Sequence, residues 1–173
     1  MSVEEHKQEA PDHVRVMVIT VSDTRTEETD KSGKYILNAL EEYGHVISSY
    51  KIVKDESMIL HEVLKGGTSD SETDVIIMNG GTGIAKRDIS VEVVSELLDK
   101  EIPGFGELFR MLSYTEDIGS AAILSRAIAG VSNNTAIFSV PGSSGAVKLA
   151  MNKLILPEIN HVVREIRKDL GKG

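Results

Sequence analysis

The segment DVIIMN, residues 74–79, is apolar on both of the faces that a strand would present. That pattern is typical of a strand buried at the centre of a parallel sheet, with helices on both sides. Three further strands are predicted from apolar runs, at residues 13–22, 45–53 and 135–140. Helical periodicity is found between and after the strands, at residues 31–44, 56–65, 91–100, 104–129 and 146–170. This alternation predicts the α/β class, as a three-layer α/β/α sandwich with a mostly parallel sheet.

The order of these elements predicts one domain over residues 13–170, preceded by a polar N-terminal tail at residues 1–12. Local signals predict four helix boundaries: Asp55 as an N-cap, Gly66 as a helix end, a break near Gly119, and Pro157 as the start of the last helix. The tail has no apolar region typical of a secretory signal, and no apolar stretch approaches the roughly 20 residues of a membrane span. A cytoplasmic protein is therefore expected.

The charge and the residue types disfavour several functional classes. A net charge of −8 disfavours general nucleic-acid binding, which needs a basic face. The chain contains no cysteine, so it has no disulfide, no thiol nucleophile and no thiolate metal site. Its five histidines lack metal-ligand spacing: His6, His13, His45, His61 and His161. These observations leave open a small anionic ligand, for which a few local donors suffice.

Ligands of parallel α/β sheets bind beyond the carboxyl ends of the strands. Three loops are predicted at that edge: SDTRTEETD, NGGTGIAKRD and PGSSG. The second contains Gly80, Gly81, Thr82 and Gly83, and exposed N–H groups in such a run can form an anion-binding nest. It lacks the Gly-Lys pair of a P-loop, and Lys86 stands where a dinucleotide fingerprint needs its third glycine. The loop is predicted either to bind phosphate or simply to turn the chain into the next helix.

Asp88 follows this glycine run, after the basic pair Lys86 and Arg87. A carboxylate beside a phosphate is repelled unless a cation lies between them, and Mg²⁺ is commonly held by one or two carboxylates together with phosphate. Asp88 or Ser90 could instead cap the next helix. From the residues alone, a metal ligand and a helix cap are equally well supported.

Several motifs together resemble one known family. GGTGIAKRDIS resembles the G-G-T-G-x-x-x-R-D-x-T signature of the MoaB/MogA molybdenum-cofactor proteins, whose domain also occurs in gephyrin-type proteins. VSDTRTEETDKSGKYI, IPGFGELFRMLSY, ILSRAIAGV and SVPGSSGAV follow the family's order, so the resemblance spans about residues 13–165. FGELFRMLS and SRAIAGV are more similar to the MoaB branch than to the MogA branch.

The resemblance implies molybdopterin adenylyltransfer, in which the terminal phosphate of molybdopterin is joined to AMP from ATP and pyrophosphate is released. Asp55 and Asp88 match the family's two acidic active-site residues and would hold Mg²⁺. The matching substrate-binding positions are Ser22, Asp23, Gly80, Gly81, Thr82, Gly83, Arg87, Glu107 and Ser143. The resemblance also implies a trimer or hexamer and contact with other enzymes of the pathway. The net charge and the lack of a long apolar stretch predict no binding to nucleic acid or membrane.

Two positions depart from the pattern common in the family, since Ser90 stands for Thr and Val91 for Pro. Some relatives lose the Arg-Asp pair and look catalytically impaired, whereas this chain keeps Arg87 and Asp88. The alternative to an adenylyltransferase is a non-catalytic molybdopterin-binding or carrier protein of the same pathway.

Some features also have a structural interpretation. Glu107 lies in a predicted helix and could be a solvated side chain, and the run EETD at residues 27–30 is predicted to be solvated loop. Arg126 could form a structural ion pair, bind phosphate or contact another subunit, and the sequence favours none of these. Gly81→Val is expected to weaken ligand binding steeply but stability little, because the glycine loop is predicted to be exposed.

Overall fold

A computed structural model describes residues 2–170, whose strands form one six-stranded sheet. Strands β1 to β6 are, in chain order, Arg15–Val21, Val46–Val53, Val75–Asn79, Lys100–Glu101, Ile128–Ser132 and Thr135–Val140. Their order across the sheet is β2-β1-β3-β6-β5-β4. Neighbouring strands are parallel among β2, β1, β3 and β6. At one edge, β5 pairs antiparallel with β6, and β4 pairs antiparallel with β5. The predicted mostly parallel sheet is confirmed, and β3 lies in its interior.

Helices α1 to α7 are, in chain order, Val3–Gln8, Lys31–Glu42, Ser57–Ser69, Ser90–Leu97, Pro103–Glu116, Ser144–Ala150 and Leu156–Arg167. A 3₁₀ helix spans Gly119–Leu124, and a π-helical turn, Met151–Ile155, joins α6 to α7. Pro157 lies in the first turn of α7, as predicted. No helix within residues 2–170 is long and apolar enough to cross a membrane.

The two faces of the sheet bury two separate apolar cores. Val16 and Val18 of β1 belong to one core, which also contains side chains of α2, α5, α6 and α7. Met17 and Ile19 belong to the other core, together with side chains of α3 and α4. Because alternate residues of one strand are buried on opposite faces, helices must cover both sides of the sheet. The predicted α/β/α layers are confirmed.

Helix α3 differs from its prediction at both ends. Asp55 lies one residue before the N-cap position, and no side-chain cap is formed there. Gly66 lies inside the helix rather than at its end. The next residue explains why, since a Cβ on Gly67 would lie 2.8 Å from both Ile76 Cδ1 and Met17 Sδ. Glycine at this position brings the helix close to the sheet instead of ending it.

The long helical region predicted at residues 104–129 is shorter than expected. Helix α5 ends at Glu116, the 3₁₀ helix follows, and β5 begins at Ile128. Strands β5 and β6 form a hairpin through Asn133 and Asn134, which both have positive φ (47° and 61°). The two antiparallel strands, β4 and β5, were not predicted.

The polar N-terminal segment contains the short helix α1, which Ser2 caps through a capping box. Lys7 forms an ion pair with Glu158 of α7. The Asn160 side chain, also on α7, donates to the carbonyl of Pro11 at 2.8 Å. These contacts attach the segment to α7.

Candidate functional site

The carboxyl ends of β1, β3 and β6 open into a cleft of about 530 Å³. Its walls come from all three loops predicted at this edge and from residues 118–125. The lining residues are Val21, Ser22, Thr24, Arg25, Gly80, Gly81, Thr82, Gly83, Asp88, Ile118, Ala121, Leu124, Ser125, Pro141 and Gly142. The predicted meeting of the three loops is confirmed, because parallel neighbouring strands end at the same edge of the sheet.

The loops approach one another too closely for side chains. Gly80 (φ 101°) and Gly81 (φ 68°) both adopt backbone conformations that favour glycine. A Cβ on Gly80 would lie 2.2 Å from the carbonyl oxygen of Val21. A Cβ on Gly142 would lie 3.2 Å from the Cα of Gly80. Main-chain atoms of the three loops therefore form the floor of the cleft.

Three consecutive N–H groups at this floor are free to bind a ligand. Within residues 2–170, the N–H groups of Gly81, Thr82 and Gly83 have no hydrogen-bond acceptor in the protein. All three residues line the cleft. Consecutive N–H groups in a turn of this kind make an anion-binding concavity, so the loop can bind a phosphate through its backbone.

Asp55 places a buried carboxylate directly behind Gly81. Only 8% of Asp55 is exposed, and its Oδ1 has no hydrogen-bond partner among the described residues. Burial raises the pKa of this carboxyl, the charges of Asp88 and Asp23 raise it further, and the N–H of Ile89 opposes the shift. A buried carboxylate in this condition is costly unless a proton or a cation neutralises it.

The glycine loop is less exposed than predicted. Gly81 is half-buried, and a Cβ on it would lie 2.2 Å from Ser90 Oγ and 2.7 Å from Asp55 Oδ2. The exposed part of the loop begins only at Gly83. A side chain at Gly81 should therefore lower stability as well as binding, which corrects the expectation from the sequence.

Asp88 closes a turn within the glycine loop. Its Oδ2 accepts a hydrogen bond from the Ala85 N–H at 3.1 Å. The N-cap of α4 is Ile89, which makes no side-chain cap, and Ser90 is the first helical residue. The Oγ of Ser90 is buried and has no hydrogen-bond partner among residues 2–170. The capping alternative is therefore wrong for both Asp88 and Ser90.

An ion pair links the first loop to the glycine loop. Arg87 Nε donates to Asp23 Oδ2 at 2.6 Å, and this contact holds the pKa of Asp23 below its usual range. The N–H of Asp55 donates to the other carboxylate oxygen of Asp23 at 3.4 Å. Ser22 shapes the first loop, because its Oγ accepts from the Arg25 N–H at 3.0 Å. The structure thus brings Ser22, Asp23 and Arg87 to the same edge as Asp55.

Four residues predicted to bind substrate do not line this cleft: Asp23, Arg87, Glu107 and Ser143. Arg87 lies instead with Asp55 in the lining of a second pocket, of about 440 Å³. Ser143 is the N-cap of α6, where its Oγ accepts from the Ala146 N–H at 3.3 Å. Glu107 is exposed on α5. The turn that contains Ser143 reaches the cleft instead through Pro141 and Gly142.

A buried polar network below the cleft was not predicted. Asp30 is 0% exposed, although its EETD run was expected to be solvated. Asp30 accepts hydrogen bonds from the Tyr50 hydroxyl at 2.6 Å and the Gly33 N–H at 3.0 Å. Arg25 Nη1 lies 3.5 Å from Asp30 Oδ1, and Arg25 Nη2 donates to the Gly142 carbonyl at 3.0 Å. Asp30 and Arg25 therefore connect the first loop to the third.

Arg126 holds the glycine loop by its carbonyl groups. Arg126 Nε donates to the Thr82 carbonyl at 2.9 Å, and Nη2 donates to the Gly83 carbonyl at 2.8 Å. The guanidinium group also forms an ion pair with Glu92 of α4. Of the three roles that the sequence left open, the structural ion pair is the one observed.

Asp55 and Asp88 are the two carboxylates that the sequence predicts as magnesium ligands. Among residues 2–170, no group of three or more His, Asp or Glu side chains could hold a metal by itself. Mg²⁺ in phosphate-binding sites usually takes one or two carboxylates and completes its octahedron with water and substrate phosphate. The unpartnered Oδ1 of Asp55 and the neighbouring charge of Asp88 match that donor set.

The fold and the cleft define a class of α/β protein, with an anion-binding nest and buried carboxylates at the carboxyl edge of a mostly parallel sheet. The family model described as a probable molybdopterin binding domain matches residues 17–161. The chain therefore belongs to this family of molybdenum cofactor biosynthesis proteins.

Individual relatives agree with this assignment. The chain is 68% identical over 169 residues to molybdenum cofactor biosynthesis protein B of Bacillus subtilis (strain 168), covering 98% of this chain and 99% of the relative. A crystal structure of molybdenum cofactor biosynthesis protein B superposes with a TM-score of 0.90 at 57% identity, over 92% of this chain and 99% of that one. The tungsten cofactor synthesizing protein MoaB from Pyrococcus furiosus superposes with a TM-score of 0.78 at 39% identity, over 91% and 99% of the two chains. The predicted family is confirmed, and with it a role in molybdenum cofactor biosynthesis.

Proposed function

We propose that this protein transfers AMP from ATP to the terminal phosphate of molybdopterin. A phosphate oxygen of molybdopterin attacks the α-phosphorus of ATP and forms a new P–O bond. The bond from the α-phosphorus to the bridging oxygen breaks, and pyrophosphate leaves with its electron pair. A terminal phosphate is largely ionised at neutral pH, so the attack requires no strong base.

The nest at Gly81, Thr82 and Gly83, next to the carboxylates of Asp55 and Asp88, is the observation that carries the proposal. N–H groups that are already fixed at the cleft stabilise phosphate charge without reorganising, which is commonly the largest electrostatic contribution to catalysis. Asp55 and Asp88 would hold Mg²⁺, which when bound neutralises part of the phosphate charge. Phosphoryl transfer needs positioning and charge stabilisation more than covalent help from the protein, and these groups supply both.

The activity is tested by incubating the purified protein with molybdopterin, Mg²⁺ and ATP, and by measuring adenylylated molybdopterin and pyrophosphate. Asp88→Asn should lower turnover about a hundredfold or more, because it removes a positioned charge. The fold should survive, since an amide oxygen can still accept from the Ala85 N–H. Asp70→Asn is the matched control. The Asp70 carboxylate also closes a turn, by accepting a hydrogen bond from the Glu72 N–H at 2.9 Å, but this turn precedes β3 and lies away from the glycine loop that follows it.

The outcomes separate the two candidate functions. Product formed by the wild type and by Asp70→Asn, but not by Asp88→Asn, supports an adenylyltransferase. Molybdopterin binding without any product would favour the non-catalytic binding or carrier protein. Near-normal pyrophosphate release by a folded Asp88→Asn variant would remove Asp88 from the proposed machinery.

We further propose that the protein works in the cytoplasm as a homo-oligomer, either a trimer or a hexamer. Support for assembly comes from large apolar side chains that are exposed on α5 and just after it: Leu108, Met111, Tyr114, Ile118, Ile123 and Leu124. Exposed apolar surface of this kind is often covered at a symmetric interface. Contacts with other enzymes of the pathway stay a prediction.

A further inference from the structure

Arg126 contacts the glycine loop and the following helix through all three nitrogen atoms of its guanidinium group. Nε donates to the Thr82 carbonyl at 2.9 Å, and Nη2 donates to the carbonyls of Gly83 at 2.8 Å and Asp88 at 3.4 Å. Nη1 and Nη2 also donate to the carboxylate of Glu92. Since Arg126 lies between the 3₁₀ helix and β5, its side chain joins the wall of the cleft to the loop.

The hydrogen bonds to the carbonyl groups determine where the N–H groups point. The carbonyl of Thr82 and the N–H of Gly83 belong to one planar trans peptide group, in which they point in opposite directions. When Arg126 binds the Thr82 carbonyl, the Gly83 N–H must therefore point away from Arg126. Gly83 lines the cleft, and its N–H has no acceptor among the described residues.

This part of the loop needs such an anchor, because burial cannot order it. Residues 83–87 are all exposed, in contrast to Gly80 and Thr82. The planar guanidinium group presents several donors in a rigid fork and can hold adjacent carbonyls at the same time. A loop without that anchor would lose conformational freedom each time it bound a phosphate, and binding would be weaker.

We propose that Arg126 is a positioning residue of the phosphate site, which orients the peptide group between Thr82 and Gly83 so that its N–H meets a bound phosphate. This inference rests on the proposed function, in which the nest binds the phosphates of ATP and molybdopterin. Arg126 is not itself the phosphate ligand, because each of its nitrogens already donates to a protein acceptor and Glu92 balances its charge.

The inference is tested with Arg126→Gln, Arg126→Lys and Glu92→Gln. Glu92→Gln is the matched control, because it removes the ion pair but leaves the donors to the loop carbonyls in place. Amide hydrogen exchange in the ligand-free protein should be about tenfold faster or more in Arg126→Gln at Ala85 and Asp88, whose N–H groups are hydrogen-bonded within the loop. It should be close to wild type in Glu92→Gln.

Calorimetric titration with Mg-ATP then measures the consequence for binding. Arg126→Gln should weaken binding about ten- to a hundredfold, as expected when charge-assisted hydrogen bonds that order the site are lost. Glu92→Gln should weaken it by less than about fivefold, because an exposed ion pair contributes little. Arg126→Lys should be intermediate, since an ammonium group can reach one carbonyl but cannot reproduce the fork.

The inference would be overturned if Arg126→Gln and Glu92→Gln lost Mg-ATP affinity equally and their melting temperatures fell in proportion. That result would show that Arg126 has only a general structural role. Faster exchange in Arg126→Gln with unchanged affinity would overturn the inference as well. A wild-type protein that binds no Mg-ATP would instead refute the proposed function, and hydrogen exchange would still decide whether Arg126 orders the loop.

Discussion

Gly81→Ala should destabilise the protein much more than Gly44→Ala, although both glycines have positive φ. Gly81 (φ 68°) lies in the cleft, and an added Cβ would lie 2.2 Å from Ser90 Oγ and 2.7 Å from Asp55 Oδ2. Gly44 (φ 81°) follows α2, and an added Cβ there would have no atom within 4 Å among the described residues. The pair separates the cost of the backbone conformation from the cost of crowding.

The magnitudes follow from these contacts. Placing alanine in the left-handed region costs about 1 kcal/mol at either position. Only Gly81→Ala must also displace Ser90 and Asp55, and overpacking of this kind typically costs about 1–3 kcal/mol more. For a chain of this length, 1 kcal/mol lowers Tm by about 2–4 °C, so the expected losses are about 2–4 °C for Gly44→Ala and about 5–15 °C for Gly81→Ala.

Thermal unfolding and Mg-ATP affinity should be measured on both variants at one pH. Gly44→Ala should keep its affinity, whereas Gly81→Ala should lose it, because the substitution moves Asp55 and disturbs the nest. Equal Tm losses in the two variants would show that the crowding around a Cβ at Gly81 is relieved at no cost. Retained affinity in Gly81→Ala would show that the nest does not bind the nucleotide.

Three further outcomes are expected. Burial raises the pKa of Asp55 above its ordinary value of 3.8, so its ionised form is destabilising and stability is lost as pH rises through the folded pKa. In metal-free buffer, Asp55→Asn should therefore melt higher than wild type near pH 7 but not below pH 3.8. A lower Tm of the variant near pH 7 would contradict this. Burial lowers the pKa of His45, whose Nδ1 accepts from the Val14 N–H at 3.3 Å. Stability that is present above the unfolded pKa of 6.5 is therefore lost as pH falls. Tm should drop more between about pH 7 and pH 5 in wild type than in His45→Asn, and equal drops would exclude His45 as the cause. Light scattering at micromolar concentration should give a trimer or a hexamer, which Ile123→Lys should weaken, and a monomeric wild type would refute the assembly.

The parts of the fold that follow from local periodicity were predicted well. The buried pattern of β3 and the alternation of strands with helices are properties of short segments, and they determine the layers and the edge at which the loops meet. The hairpin between β5 and β6 was missed, although Asn133 and Asn134 between two apolar runs are a signal for a two-residue turn with positive φ.

Features that depend on distant contacts were not predictable in the same way. Gly66 suggests a helix end, and only the packing of Gly67 against the sheet shows why the helix continues. Asp30 lies in an acidic run that is otherwise exposed, and it is buried against Tyr50, which comes from β2. A local signal did exist, because an aspartate directly before a helical segment is a common N-cap.

For the candidate site, the sequence predicted the glycine loop and Asp55, Asp88 and Arg87, which the structure gathers at one edge. Arg126 was left undecided, since its role depends on which loop carbonyls come within reach after folding. The roles of the gathered residues toward substrate and metal stay predictions.

Because the floor of the cleft is made of peptide groups, under the proposed function it can recognise only what all phosphate esters share. A peptide N–H is the same whichever residue carries it, so the floor offers no way to distinguish one ester from another. Discrimination must come from the side chains that line the cleft, among them Ile118, Ala121 and Leu124 on the wall. A change of ligand preference, in nature or by engineering, should therefore map to that wall and leave the capture of phosphate intact.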